Sequence, residues 1–171
     1  MSAFDQAFEQ VLGVEGGLSM DPQDKGNWTG GEVGSGELKG TKYGISAAAF
    51  PHIDIPNISL AGAKLLAYNC YWAPIRGDQM PPGIAAAVFD MAYNQGIVQA
   101  AKTLQHACGA TPDGAVGPDT IARLNATPLK VLMKNITTER ILVYSSLAMW
   151  PAYKRSWTDR SINALIVALG V

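Results

Sequence analysis

Residues 14–24 read VEGGLSMDPQD, and the fold turns on how that stretch is read. Upstream of it Phe4, Ala7, Phe8, Val11 and Leu12 recur at helical spacing, which predicts an amphipathic helix over residues 2–15. Gly16 and Gly17 are placed to stop that helix, because glycine best takes the left-handed position after a last turn. Downstream, from Leu18 to Gly44, the helical period vanishes. Glycines at 26, 30, 31, 34, 36, 40 and 44 punctuate a polar stretch that reads as a small β-hairpin lobe or an ordered loop.

Helical patterns then resume and continue to the end. Ser59 reads as the cap of a helix reaching Trp72, ended by Pro74. Pro81-Pro82 opens GIAAAVFDMAYNQG, whose alanine content and apolar spacing suit a buried helix. A further helix covers Gln99 to Cys108, and Gly117-Pro118 starts the next. Thr127-Pro128 begins a long one expected to run to Trp150, where Pro151 would break it, and Ser161 to Leu169 closes the chain. The expected fold class is therefore mainly α, one domain with a small glycine-rich β-hairpin lobe after the first helix. Its N-terminal part covers residues 1–80 and a helical lobe covers 81–171.

Composition excludes several classes. With 171 residues, 48% of them apolar and 16% charged, the chain has the composition of one globular domain. A net charge of −1 argues against a nucleic-acid partner. The start, MSAFDQAFEQ, has no basic stretch followed by an apolar run, and the apolar tail from Ala164 is too short to span a bilayer. The expectation is a chain kept in the cytoplasm until another protein releases it, with no stable membrane insertion. Cys70 and Cys108 read as two small apolar residues rather than a disulfide. His52 and His106 stand alone, with no cluster at metal spacing, so neither a metal nor a cofactor is expected.

The chemistry concentrates in the first fifty residues. On a helix reaching residue 15, Glu15 follows Val11 by one turn, at the edge of the apolar stripe and at the negative end of the helix dipole. Desolvation and dipole both raise a carboxyl pKa, which is how a glutamate is held protonated as a general acid. Asp24, nine residues on across the Asp21-Pro22 turn, is exposed among polar residues and should stay ionised. One neutral and one charged carboxyl form the pair that glycosidic cleavage uses. Thr41, in KGTKYGIS, is placed to bring a hydroxyl near Asp24 and hold a water. Taken singly, each acid is as readily a surface helix end or a turn former.

These residues carry a resemblance. EGG at 15–17, DPQDKG at 21–26 and GTKYGIS at 40–46 resemble the opening of glycoside hydrolase family 108, the phage- and prophage-type N-acetylmuramidases. FDMAYNQG at 89–96, LQ at 104–105 and DGAVGPDT at 113–120 are similar to that family's C-terminal segment, a predicted peptidoglycan-binding region. The family usually reads a short D-x-G-G-x-T-x-x-G-I-T, whereas here NWTGGEVGSGELK (27–39) intervenes between Gly26 and Gly40. The resemblance implies a lysozyme-like fold with Glu15 as the catalytic acid. It also implies an endolysin that acts as a monomer on peptidoglycan glycan strands in the cell wall, after a separate holin lets it out of the host cytoplasm.

Four further residues are candidates for holding sugar. Asp90 and Asn94 share one face of a helix, where Asp90 reads as structural and the resemblance draws Asn94 towards the cleft. Gln95 adds amide donors and acceptors suited to N-acetyl and hydroxyl groups. Trp28 and Tyr43 flank the glycine-rich lobe and could stack on a ring, while Trp72, Trp150 and Trp157 read as packing. DGAVGPDT reads as a turn and a helix start. The expected reaction is hydrolysis of the MurNAc–GlcNAc β-1,4 bond. Two rivals stand beside it. One is a lytic transglycosylase, which needs a single acid and forms a 1,6-anhydro product. The other is a non-catalytic wall-binding or virion module.

Overall fold

The structure, a computed structural model, describes residues 1–13 and 17–170. Seven α-helices and one two-stranded antiparallel hairpin stand among the described residues, the mainly α class expected. The first helix, α1, spans Ala3–Val11 and is shorter than its apolar period predicts. Gly13 takes φ +73, and its N–H donates to the Glu9 carbonyl at 3.1 Å. The first glycine able to adopt the left-handed cap therefore ends the helix, ahead of Gly16-Gly17. The expected helical placement of Glu15 lies outside the described residues.

The chain divides into two compact units. One comprises Phe8–Cys70 and the other Met1–Ala7 with Tyr71–Val171. In the first unit, strands β1 (Thr41–Lys42) and β2 (Ile45–Ser46) pair with Thr41 opposite Ser46 and Lys42 opposite Ile45. Tyr43 and Gly44 join them at φ +50 and +76. Two successive left-handed residues make the two-residue turn whose twist matches paired strands. Glycine at 44 is also required sterically, since a Cβ there would meet the Leu12 side chain at 2.8 Å. Helix α2 (Leu60–Ala67) starts where expected, the Ser59 hydroxyl accepting from the Gly62 N–H at 3.1 Å. A wider, π-helical turn over Tyr68–Trp72 follows it.

The second unit is a helical bundle. Its helices are α3 (Pro82–Gln95), α4 (Ile97–Cys108), α5 (Pro118–Ala126), α6 (Leu129–Ser145) and α7 (Trp150–Leu169). Gly96, at φ +85, separates α3 from α4. Helix α3 packs on α4 and α7, and α6 on both α4 and α7. Phe4, Trp72 and Phe89 meet edge to face with centroids 5.5–6.0 Å apart. Ile84, Val88, Phe89 and Met91 are fully buried on α3, each worth roughly 1.5–3 kcal/mol by removal from water. Gly83 brings α3 against the α7 backbone, where a Cβ would lie 2.7 Å from the Ala168 carbonyl oxygen.

A further helix boundary differs from expectation. Helix α6 stops at Ser145, and Pro151 opens α7 instead of breaking a helix. Proline in a first turn removes an N–H that has no helical partner, so it is tolerated there. Ser161 sits inside α7 and donates to the Trp157 carbonyl at 2.8 Å, so it caps nothing. Cys70 and Cys108 are both free thiols and half-buried. Burial pushes the Cys108 thiol pKa up.

Candidate active site

The Phe8–Cys70 unit builds its polar centre on Asp24. After the Asp21-Pro22 turn, in which Asp21 Oδ1 accepts from the Gln23 N–H at 2.9 Å, Asp24 caps a short 3₁₀ turn over Lys25–Asn27. Its Oδ1 accepts from the Gly26 N–H at 2.8 Å, and the carboxylate is exposed. A glycine at 26 suits this turn, since a Cβ would press within 3.2 Å of Asp24 Oδ1.

The turn ends on Asn27, which is fully buried. Its Nδ2 donates to the Asp21 carbonyl at 3.0 Å and to Ser19 Oγ at 3.4 Å. Its Oδ1 accepts from the Thr41 hydroxyl at 2.7 Å. Main-chain bonds between Ser19 and Thr41, at 2.8 and 3.0 Å, close the same ring. Asn27 thus ties Thr41 to the turn that Asp24 caps, and the Thr41 hydroxyl proton is committed to its amide. Its oxygen keeps lone pairs to accept with. A further tie runs from the Ala48 N–H to the Gly26 carbonyl at 3.0 Å.

The segment 27–39 does not separate these pieces. The Asn27 carbonyl accepts from the N–H groups of both Lys39 and Gly40 at 3.0 Å, so the segment leaves and returns at one point. Trp28 pairs with Leu38, Thr29 N–H donates to the Glu37 carbonyl at 2.9 Å, and Gly30 N–H to that of Ser35 at 3.0 Å. Trp28 is half-buried, and its indole N–H donates to the Pro22 carbonyl at 3.0 Å, bracing the turn that carries Asp24. Tyr43 is half-buried at the hairpin tip with Lys42 Nζ 5.5 Å from its ring centroid.

Asn94 and Gln95 belong to the other unit. Asn94 is exposed but folded back, its Nδ2 donating to the Asp90 carbonyl at 2.7 Å and to Asp90 Oδ1 at 3.1 Å. Only its amide oxygen is left for a ligand. Neither end of the Gln95 amide is bonded by any protein group, and both are closed from solvent. Asp90 is structural, as read: it is buried and paired with Arg140 and Arg160. The buried Gln105 organises the 113–120 loop, donating to Asp113 Oδ1 at 2.7 Å and to the Ala115 carbonyl at 3.0 Å. Among the described residues, no group of three or more His, Cys, Asp or Glu is placed to hold a metal, and no helix is long and apolar enough to cross a membrane.

A family model described as Glycosyl hydrolase 108 matches residues 8–96. The chain belongs to glycosyl hydrolase family 108. The family 108 match takes in Glu15, Asp24, Thr41 and Asn94, while the loop at 113–120 lies beyond it. Membership supports a glycosidase and points to peptidoglycan as the substrate. A solved structure of Brucella abortus SagA is similar to this family 108 chain at 23% identity, with a TM-score of 0.77, covering 98% of this chain and 94% of that one. That likeness is one of fold, and the helical architecture with its two-stranded hairpin is consistent with a lysozyme-like fold. Comparison with curated protein sequences gives no match.

Asn27 is the residue that sequence reasoning missed. Its importance comes from partners six, eight and fourteen positions away, which no local pattern announces.

Proposed function

We propose that this family 108 protein is an N-acetylmuramidase of the endolysin kind, hydrolysing the MurNAc–GlcNAc β-1,4 bond, and that Glu15 and Asp24 carry the reaction. The observation that supports the reading most is the Asn27 knot, which fixes the Thr41 hydroxyl to the turn that the exposed Asp24 carboxylate caps. Glu15 would protonate the leaving glycosidic oxygen. Asp24 and Thr41 Oγ1 are two acceptors, and a water donating one proton to each turns its lone pair outward for attack on the anomeric carbon. Thr41 suits this part because its own proton is already given to Asn27 Oδ1. Trp28 and Tyr43 supply ring faces on the same unit. In this reading the enzyme works as a monomer on the wall, reaching it through a separate holin.

The test is Glu15→Gln on purified peptidoglycan with mass spectrometry of the products. The amide keeps the shape but has no proton to give, so turnover should fall by about 10²–10⁴ with the melting temperature unchanged. Reducing-end MurNAc should dominate the wild-type digest. A 1,6-anhydro product would assign the chain to the transglycosylases, and near-normal turnover by Glu15→Gln would remove Glu15 from the mechanism.

A further inference from the structure

Within the helical unit, Gln95, Gln99, Tyr144, Trp157 and Arg160 line a pocket of about 370 Å³ between α3–α4 and α6–α7. Its chemistry is lopsided. Arg140 lies behind the lining residue Tyr144, buried, and its guanidinium pairs with Asp90, as does that of the lining Arg160, so two cations share one carboxylate. Arg140 Nη2 also donates to the Tyr144 hydroxyl at 3.0 Å, yet its Nε and Nη1 have no protein partner. The Arg160 side chain is 41% exposed, so the surplus positive charge is reachable from outside. A buried surplus cation is costly unless an anion compensates it.

Gln95 adds a second requirement. Its amide lacks a partner at both the donor and the acceptor end, so no internal bond opposes its turning towards a ligand. Tyr144 stacks on Trp157 with centroids 4.7 Å apart and an interplanar angle of 25°, and Tyr153 also stacks on Trp157, at 5.5 Å.

We infer that this pocket binds an acyl-amino-acid segment bearing a free carboxylate, the carboxylate neutralising the Arg140–Arg160 surplus and the amide pairing with Gln95. A neutral sugar would leave the cation uncompensated. An inorganic anion would leave the Gln95 oxygen without a donor. That the segment is the peptide stem of peptidoglycan rests on the function proposed above; the amide-plus-carboxylate chemistry does not.

The experiment is calorimetric titration of the Glu15→Gln protein, which separates binding from turnover. Muramyl dipeptide offers amides and a carboxylate, whereas tri-N-acetylchitotriose offers amides alone. Muramyl dipeptide should bind, and more weakly as salt rises. In Gln95→Leu its affinity should fall about tenfold or more, with a melting temperature equal to or above the parent's because no internal hydrogen bond is lost. Gln95→Glu, a near-isosteric change that places a rival carboxylate on the same wall, should also lose binding. Unchanged muramyl dipeptide affinity in both Gln95 variants would overturn the inference, as would an equal loss of chitotriose affinity in them. Neither result would touch the muramidase reading, which stands or falls on the Glu15→Gln digest.

Discussion

Asn27 concentrates several of the site's demands in one side chain. Its amide has no access to water, and every bond that satisfies it also fixes something of use: Asp21 at the start of the turn, Ser19 on the approach, Thr41 on β1. Asn27→Ala should therefore cost more than an ordinary surface change, because it strands groups that the fold has already dehydrated. Each buried group left unpaired costs about 1–3 kcal/mol, so a clear drop in melting temperature is expected together with slower wall clearing. Asp24→Asn isolates charge from shape. The amide oxygen can still accept from the Gly26 N–H, so the melt should be unchanged while clearing falls roughly 10²-fold. Clearing at the wild-type rate would reduce Asp24 to a turn former. The carboxyl candidates were legible in the sequence because acids flanked by glycine and proline leave a local trace. Asn27 was not, since a buried amide's worth is set by contacts that local spacing does not encode.

At the scale of elements, the segment after Asn27 behaves as a closed excursion. Its two ends are already hydrogen-bonded to one carbonyl, so replacing residues 28–38 by Gly-Gly should fold with little loss. Shortening a loop whose ends already meet changes closure entropy only slowly. Activity should suffer more, because Trp28 and its brace on the Asp21–Asp24 turn go with it. Paired clearing and melting assays on the replacement check both halves of that expectation. A second element prediction concerns the 113–120 loop. The Ala115 N–H, then the Gln105 amide, hold the Asp113 carboxyl below its ordinary pKa. A depressed carboxyl contributes stability above its unfolded pKa and loses it as pH falls through the folded one. The melting difference between wild type and Asp113→Asn should therefore be largest near neutral pH and close below about pH 4. Helix starts were readable here from Ser59, Pro82, Pro118 and Pro128. Two helix ends were not, because Gly13 and the Ser146–Met149 break compete with stronger-looking stop signals at Gly16-Gly17 and Pro151.

For the molecule as a whole, the mainly helical class followed from apolar periodicity, while the charges inside it did not. Asp90 looked structural on an alanine-rich helix, but its two arginines lie fifty and seventy residues further on and share no motif with it. Removing its charge leaves Arg140 buried without a counter-ion. Asp90→Asn should therefore destabilise the protein by about 3–5 kcal/mol, read as a lower denaturant midpoint. A midpoint within error of wild type would mean that water reaches Arg140 after all.

The closed base of the 28–38 excursion also has an evolutionary reading. Where a chain leaves and re-enters a framework through the same carbonyl, what lies beyond the Trp28 brace can lengthen, shorten or be exchanged without re-tuning the Asn27 frame. Sister enzymes would then differ at this point more than at the Asp24–Asn27–Thr41 knot. The apex at Gly30–Gly34 becomes a port for a reporter or a foreign wall-targeting peptide. A break in the chain there would leave two fragments whose main chains still pair across the base.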